Sequence, residues 1–341
     1  MFENFYGNQP AVATLEQMIA QQRIPQTILI AGPEGVGKAT LARRFAAALI
    51  NGAAKIEKDD LSLLENATAI TDRDKWPSDK RVDDPLVFSS HPDFLTFPPE
   101  GPLRQLSISQ MRLLKARAQF TPLKGKRRIF LIDRIDRANE QAANSLLKTL
   151  EEPPDYLIIL MTAENAYDLL PTIRSRSVPI YLGRLSPEDM AAFGKARKLD
   201  NIERRLSLAS GSPGLALSID LEVYDKRRTA MLALLQVAAK RAPFAKWLKY
   251  SESLGASKSE KLEYYLNVLY ILLEDLLLLQ QGGGPIRNTD IEKDLAAIAP
   301  HISFPWIRTA VKQVDDLTEL LRRNIQKSIA LDALIVELQS L

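Results

Sequence analysis

A glycine-rich segment near the start of the chain has the residue types that bind nucleotide phosphates. Residues 32–38 read Gly-Pro-Glu-Gly-Val-Gly-Lys, which is the G-x-x-x-x-G-K pattern of a P-loop. The backbone amides of such a loop attract an anion, and Lys38 would reach a phosphate. The next position, where Ser or Thr would hold Mg²⁺, is Ala39, and Thr40 comes one residue late. The loop can therefore attract a phosphate but lacks the hydroxyl that supports hydrolysis.

An acidic residue after an apolar run would form the second half of a nucleotide site. The run Ile129–Asp133 predicts a strand that ends in a metal-facing carboxylate, but Arg134 stands where an activating glutamate would be. A cation cannot act as the general base. An ordinary ion pair from Arg134 to Asp136 also implies no catalysis. The two motifs predict a degenerate site, which either binds nucleotide without turnover or stands vacant and only closes the sheet. Its candidate binding residues are Gly32, Gly35, Val36, Gly37, Lys38, Ala39, Thr40 and Asp133.

Arg174 and Arg176 lie two residues apart in the segment Leu170–Ser177, which is predicted to be a loop between strands. An arginine presented from such a loop can reach a phosphate on a neighbouring protein, and arginine fingers of this kind are worth roughly 10³ to 10⁵ in rate. The alternative is an arginine at the rim of the protein that pairs with an acid.

Apolar runs and helical patterns alternate along the first half of the chain and would position these motifs. Strands alternating with helices predict an α/β fold with a parallel, helix-covered sheet. Ser107 and Ser109 are the candidate caps of one helix. Mixed charge between residues 51 and 90 predicts an exposed insertion that is at most partly helical. The predicted strands cover residues 26–31, 93–97, 127–133, 157–162 and 178–182, and the helices 38–50, 108–120 and 139–151.

The second half of the chain is predicted to be all-α. Residues 186–220 indicate a small helical unit, and everything from Leu221 onward has helical character. The strongest helix ends at the Gly-Gly-Gly-Pro turn of residues 282–285 and carries one apolar stripe, which is typical of a core contact in a helical bundle. The stripe consists of Tyr265, Val268, Leu269, Leu272, Leu273 and Leu276.

Composition bounds the class of protein. With 341 residues, 46% apolar and 26% charged, the chain has the make-up of a soluble protein of two or three domains. The absence of cysteine fits a reducing cytosol and excludes thiolate metal sites, and two histidines are too few for a convincing zinc site. The amino terminus does not resemble a signal peptide, and the longest apolar stretch is too short and too charged for a membrane span. A cytoplasmic protein is expected.

The charge pattern gives only weak support for DNA contact. The formal net charge is +3, which is too small to argue for nucleic acid. Residues 124–128, Lys-Gly-Lys-Arg-Arg, form a basic turn, with Arg112, Lys115 and Arg117 on the helix before it. Such a cluster is either a solvated hairpin or a salt-sensitive phosphate contact that is indifferent to sequence.

Two longer motifs carry a specific resemblance. Residues 144–154 read Asn-Ser-Leu-Leu-Lys-Thr-Leu-Glu-Glu-Pro-Pro, and residues 171–177 read Pro-Thr-Ile-Arg-Ser-Arg-Ser. They resemble the AAA+ clamp-loader family, whose finger motif is Ser-Arg-Cys; here Ser177 replaces the cysteine. The likeness covers essentially the whole chain. It implies that Arg176 is catalytic in trans, as an arginine finger that completes the ATP site of an adjacent subunit.

Three departures from the ATPase members of that family indicate a non-hydrolysing subunit. Ala39 replaces the magnesium hydroxyl, Arg134 replaces the catalytic glutamate, and Gly214 stands where the ATPase subunits carry the sensor-2 arginine. A fourth departure is from the usual non-hydrolysing subunit, because its four-cysteine zinc module is absent and residues 51–90 occupy that place. No zinc, no other metal and no required cofactor are therefore expected, and any binding of ATP or ADP would be weak.

The resemblance also implies an architecture and partners. The expected domains are an AAA+ P-loop sheet domain at residues 1–183, a helical lid at 184–220 and a helical collar at 221–341. The implied partners are ATPase subunits of the gamma/tau type and a subunit of the delta type in a hetero-pentamer of the bacterial DNA polymerase III holoenzyme. Through that complex the chain would meet the sliding clamp and primer-template DNA and assist the ATP-dependent loading of the clamp.

Two other functions remain open at this point. The first is an ATP-hydrolysing motor subunit, in which Thr40 supplies the missing hydroxyl and another acid replaces the missing base. The second is a stand-alone DNA-binding protein on a retired P-loop, against which the modest net charge argues.

Overall fold

The computed structural model describes residues 2–256, 262–320 and 326–340. The chain forms two compact units. The first consists of Met1–Leu199 with Gly211–Leu215, and the second of Asp200–Ser210 with Ala216–Leu341. The expected lid range is therefore shared between the two units, and the division at residues 183 and 220 stays a prediction.

A six-stranded sheet is the framework of the first unit, with the strand order β2-β3-β4-β5-β1-β6. Four of the five neighbouring pairs are parallel, which confirms the predicted parallel sheet. The edge strand β2, which the sequence did not predict, runs antiparallel to β3. The strands are β1 Thr27–Ala31, β2 Phe88–His91, β3 Phe94–Phe97, β4 Arg128–Ile132, β5 Leu157–Ala163 and β6 Val178–Tyr181.

Helices cover both faces of this sheet because the central strands are apolar on both sides. In β1, Ile28 packs in the same buried cluster as Phe45, whereas Leu29 packs in the opposite cluster with Leu146. Successive residues of a strand point to opposite faces, so this continuous apolar run builds two cores. The helices of the unit are α1 Gln9–Ala20, α2 Lys38–Ile50, α3 Ala53–Ile56, α4 Leu64–Asp72, α5 Ser78–Asp83, α6 Ile108–Ala118, α7 Glu140–Glu151, α8 Pro171–Arg174 and α9 Pro187–Ala196.

One of the two predicted caps holds the start of α6. Ser107 forms a capping box with Gln110, in which each side chain bonds the other's backbone amide. Ser109, the second candidate, lies buried inside the helix. The predicted cap at Ser107 is confirmed.

Residues 51–90 are more ordered than the sequence predicted. They form the helices α3 to α5, two short 3-10 turns and the strand β2. Two carboxylates of this segment pair with a cation of α2: the buried Arg43 lies 3.3 Å from Glu57 and 2.5 Å from Asp60. The buried Arg73 lies 3.5 Å from Glu100. The helices cover only part of the segment, and charged residues such as Lys55 and Asp79 are exposed, so the expectation of an exposed, partly helical insertion holds. The ion pairs and the short strand β2 could not be predicted from the sequence.

The second unit is helical, as predicted. The predicted stripe lies in α14, where Leu269, Leu272 and Leu276 are buried and Tyr265 packs against the same core. The interpretation of the stripe as a core contact is confirmed. None of the helices within the described ranges is long and apolar enough to cross a membrane. The remaining helices are α10 Ile202–Ala209, α11 Pro213–Ser218, which spans the division between the units, α12 Leu221–Ala238, α13 Ala245–Ala256, α14 Leu262–Gln281, α15 Glu292–Ile298, α16 Phe304–Leu320 and α17 Lys327–Gln339.

Candidate phosphate site and arginine motif

The P-loop connects β1 to α2, as its sequence pattern requires. Gly35 and Gly37 have φ angles of +73° and +99°, which side chains rarely adopt, and Gly37 caps the start of α2. A Cβ on Gly37 would lie 3.1 Å from the ring of Phe5. The glycines of the motif are thus explained by the turn itself, whatever the loop binds.

Lys38 is turned toward its own loop. Its Nζ donates hydrogen bonds to the carbonyl oxygens of Gly32 at 2.6 Å and Pro33 at 2.7 Å. Burial lowers the pKa of Lys38, and the positive charge of Arg134 lowers it further. The cation that would meet a phosphate already has two acceptors within the loop.

A segment of the same unit, Gly211–Leu215, holds the loop from outside. The Ser212 hydroxyl donates to the carbonyl of Glu34 at 2.9 Å, and the Gly214 amide donates to the carbonyl of Gly35 at 2.8 Å. The loop is therefore closed by contacts within the protein. The resemblance predicts that Gly214 stands at the sensor-2 position, and the backbone of Gly214 lies against the P-loop.

Asp133 and Arg134 follow the end of β4, beside the loop. The Asp133 carboxylate accepts a hydrogen bond of 2.6 Å from the Thr162 hydroxyl, which itself accepts from the Arg134 amide at 2.8 Å. Burial raises the pKa of Asp133, and the bond from Thr162 partly offsets this effect. Asp133 raises the pKa of Lys38 and Arg134 lowers it, so Lys38 and Asp133 of the predicted site lie near each other.

The guanidinium of Arg134 lies between two carboxylates. It lies 3.1 Å from Asp136 and 2.9 Å from Glu164. Burial alone would lower the pKa of Arg134, but the two carboxylates outweigh it and raise the pKa. The predicted ion pair to Asp136 is confirmed, whereas Glu164, 30 residues away, could not be paired from the sequence.

Ala39 and Thr40 begin α2 directly after Lys38. The Thr40 hydroxyl lies 3.5 Å from Nη2 of Arg43, a residue that belongs to the ion-pair network of the insertion. The positive charge of Arg43 would repel a metal ion at the Thr40 hydroxyl.

Residues 171–174 of the arginine motif form the short helix α8, so the prediction of a loop is wrong for that part. Arg176 lies in the turn that follows the helix. Pro171 begins α8 because its fixed φ angle suits the first turn. The guanidinium of Arg174 lies 5.2 Å from the ring centre of Tyr167, a residue that is 75% exposed. Arg176 pairs with Glu151 at the end of α7, at 2.5 Å. Neither Tyr167 nor Glu151 had a signal in the sequence that would link it to an arginine.

The basic turn before β4 presents fewer exposed cations than the sequence suggested. Arg128 is buried, and its Nη1 donates to the Phe120 carbonyl at 3.3 Å, so it is not available to DNA. The buried carboxylate of Asp93 accepts from the amides of Leu123 at 2.6 Å and Lys124 at 2.7 Å and fixes the turn. The exposed cations of the predicted cluster are Arg112, Lys115, Arg117, Lys124 and Lys126.

In a chain without cysteine, a metal site would need acidic or histidine side chains that lie close together. Within the described parts of the chain, no group of three or more such residues could hold a metal ion.

The fold is of the AAA+ type. It has a P-loop between β1 and α2, a carboxylate after β4 and an arginine motif before β6. The family described as DNA polymerase III, delta subunit, matches residues 7–186, which is more than half of the chain. The chain belongs to this family and is a clamp-loader subunit of the delta prime type.

The chain is similar to several named subunits of DNA polymerase III. The DNA polymerase III subunit delta' of Escherichia coli (strain K12) is 29% identical over 237 residues, which are 68% of this chain and 69% of that protein. The subunit of the same name from Pseudomonas aeruginosa is 30% identical over 189 residues, or 54% of this chain and 52% of that protein. The DNA polymerase III subunit tau/gamma of Haemophilus influenzae is 26% identical over 184 residues, or 54% of this chain and 24% of that protein.

Proposed function

We propose that this chain is a non-hydrolysing clamp-loader subunit that donates Arg176 to the ATP site of a neighbouring ATPase subunit. In this role it assembles with subunits of the gamma/tau and delta types in a hetero-pentamer. The complex uses ATP to load a sliding clamp onto primer-template DNA.

The observation that carries the non-hydrolysing role is the pairing of Arg134. Its guanidinium lies within 3.1 Å of Asp136 and within 2.9 Å of Glu164, at the position where a motor subunit needs a general base. Hydrolysis would require a carboxylate free to activate water. Here a cation neutralises the nearby carboxylates.

The alternative is a motor subunit with Thr40 in place of the missing hydroxyl. Its support is the similarity to tau/gamma subunits, which covers 54% of this chain. Two contacts weigh against it: the Thr40 hydroxyl lies against Arg43, and Lys38 bonds the loop carbonyls. We therefore favour the non-hydrolysing role.

Arg176 suits donation to another subunit because its side chain lies at the surface. It is 32% exposed and is held by hydrogen bonds to α8 and by the ion pair to Glu151. A guanidinium of this kind can turn to a phosphate on a partner without breaking the core of its own subunit.

The test is Arg176→Ala in a reconstituted complex with the partner ATPase and delta-type subunits. We expect normal folding and assembly, and a fall in steady-state ATP turnover equal to the share of one ATP site, since a finger is worth roughly 10³ to 10⁵ in rate at its own site. Arg174→Ala, two residues away on Tyr167, is the matched control and should retain turnover. Equal turnover in the Arg176→Ala and unmodified complexes would exclude the finger assignment.

A further inference from the structure

We infer that Glu151 is the resting partner of Arg176, and that a nucleotide phosphate on the neighbouring subunit displaces Glu151 when the arginine engages. This inference rests on the proposed function, because it assumes that Arg176 acts in trans. In this inference, Glu151 determines how readily Arg176 is released to bind the phosphate of the neighbouring subunit.

The two terminal nitrogens of the Arg176 guanidinium bond to different parts of the chain. Nη1 donates to the carbonyl of Thr172 at 2.9 Å and to the Ser175 hydroxyl at 3.2 Å, so this end is anchored to α8. Nη2 donates to Oε1 of Glu151 at 2.5 Å. The Glu151 bond alone joins the arginine to a different helix, and it can break while the anchor to α8 remains.

Glu151 stands where a carboxylate is unfavourable for its own helix. It is the last residue of α7, and Glu152 follows it as the C-cap. The carboxyl end of a helix carries partial negative charge, which disfavours acids and favours cations. Glu151 therefore adds nothing to the stability of α7 by itself, and its stabilising contact is the cation that it holds.

The pair is weak enough to exchange. The two side chains are 32% and 46% exposed, and ion pairs at such sites shift an equilibrium by about 1.5- to 5-fold. A terminal phosphate carries more charge than a carboxylate and accepts two parallel hydrogen bonds from a guanidinium. Phosphate therefore outcompetes Glu151, at a cost of a few-fold in apparent nucleotide affinity.

The opposite role for Glu151 would be to position the guanidinium during hydrolysis. A carboxylate that stayed 2.5 Å from Nη2 would then lie close to a triphosphate and repel it. The two roles predict different kinetics when Glu151 loses its charge but keeps its shape.

The experiment compares Glu151→Gln with the unmodified chain in the reconstituted complex, with ATP concentration varied. We expect an unchanged maximal rate and a fall in the ATP concentration for half-maximal turnover of up to about 5-fold, since the competing charge is gone. The matched control, Glu152→Gln, removes the same charge one residue further along and should leave both constants unchanged.

Two further variants separate the possible failures. In an Arg176→Ala background, Glu151→Gln should have no effect, because there is no finger to release. If Arg176→Ala lowers turnover but Glu151→Gln lowers the maximal rate or leaves the ATP dependence unchanged, the resting-partner role is wrong and the proposed function stands. If Arg176→Ala has no effect on turnover, both the resting-partner role and the arginine finger of the proposed function are wrong.

Discussion

Gly35 and Gly214 approach each other so closely that neither position has room for a side chain. A Cβ on Gly214 would lie 2.9 Å from the Cα of Gly35, and a Cβ on Gly35 would lie 2.3 Å from the Ser212 hydroxyl. This contact fastens the P-loop to the segment Gly211–Leu215. At the scale of single residues, the glycines of the loop thus serve packing as well as any ligand.

Gly35→Ala tests this packing. We expect a loss of about 1–3 kcal/mol in the free energy of unfolding, because the new methyl group meets Ser212 and the φ angle of +73° strains alanine. Urea unfolding of the isolated chain measures the effect.

Gly125→Ala is the control for this substitution. The nearest atom to its Cβ is 4.0 Å away, and its φ angle lies outside the strained range. It should change stability by less than about 0.5 kcal/mol. Equal stability of the two variants would contradict the tight contact at Gly35.

At the scale of structural elements, the insertion at residues 51–90 contributes ion pairs and buried carboxylates to the first unit. Two of its carboxylates pair with Arg43 of α2, and its buried Arg73 pairs with Glu100. The carboxylates of the insertion are not equivalent. Asp60 neutralises the buried Arg43, whereas Asp59 is itself buried and accepts a bond from the Ser90 amide at 3.0 Å. Burial raises the pKa of Asp59 above 3.8, and the bond from Ser90 partly opposes this.

Asp59→Asn should stabilise the protein at pH 7, because it keeps an acceptor for Ser90 and removes a buried charge. The folded state binds the Asp59 proton more tightly than the unfolded state does. Unmodified protein therefore gains stability as the pH falls through the raised pKa, and the advantage of the variant disappears near the unfolded value of 3.8. Thermal unfolding between pH 4 and pH 8 measures the difference.

Asp60→Asn is the contrasting variant. It leaves the buried Arg43 with Glu57, at 3.3 Å, as its carboxylate partner, so it should destabilise the protein by roughly 1–3 kcal/mol at pH 7. A stability that rises in Asp60→Asn, or one that falls in Asp59→Asn, would contradict the roles given to these two carboxylates.

The same scale shows what the sequence could predict. Strands β1, β4 and β5 and helices α2, α6 and α7 were predicted from apolar runs and caps, because those signals are local. Helix α1 was not predicted, although Asn8 at its N-cap and Pro10 in its first turn are residue types that begin helices. Strand β2 was missed because its sequence, Phe-Ser-Ser-His, lacks an apolar alternation.

In the candidate site, the motif residues could be predicted from the sequence, whereas the contacts between them could not. Single residues such as Ala39, Arg134 and Arg176 could be identified from motifs, since each occupies a defined place in its pattern. Their partners could not, because Glu164 lies 2.9 Å from Arg134 and Glu151 lies 2.5 Å from Arg176 only after the sheet has formed. Long-range ion pairs have no local signal.

At the scale of the whole molecule, the two compact units suit different tasks. The first contains the P-loop, the arginine motif and the sheet that positions them. The second buries the stripe of α14 in its own core and leaves Phe304, Ile329 and Val336 more than half exposed. These exposed apolar residues lie in the range that is predicted to form the collar.

The most direct test of the proposed role is the turnover of ATP by the isolated chain, measured by phosphate release, with calorimetry on the same preparation to detect binding. We predict no turnover above that of Lys38→Ala, with or without a weak heat of binding. Robust turnover that Lys38→Ala abolishes would contradict the non-hydrolysing role and would make the chain a motor subunit.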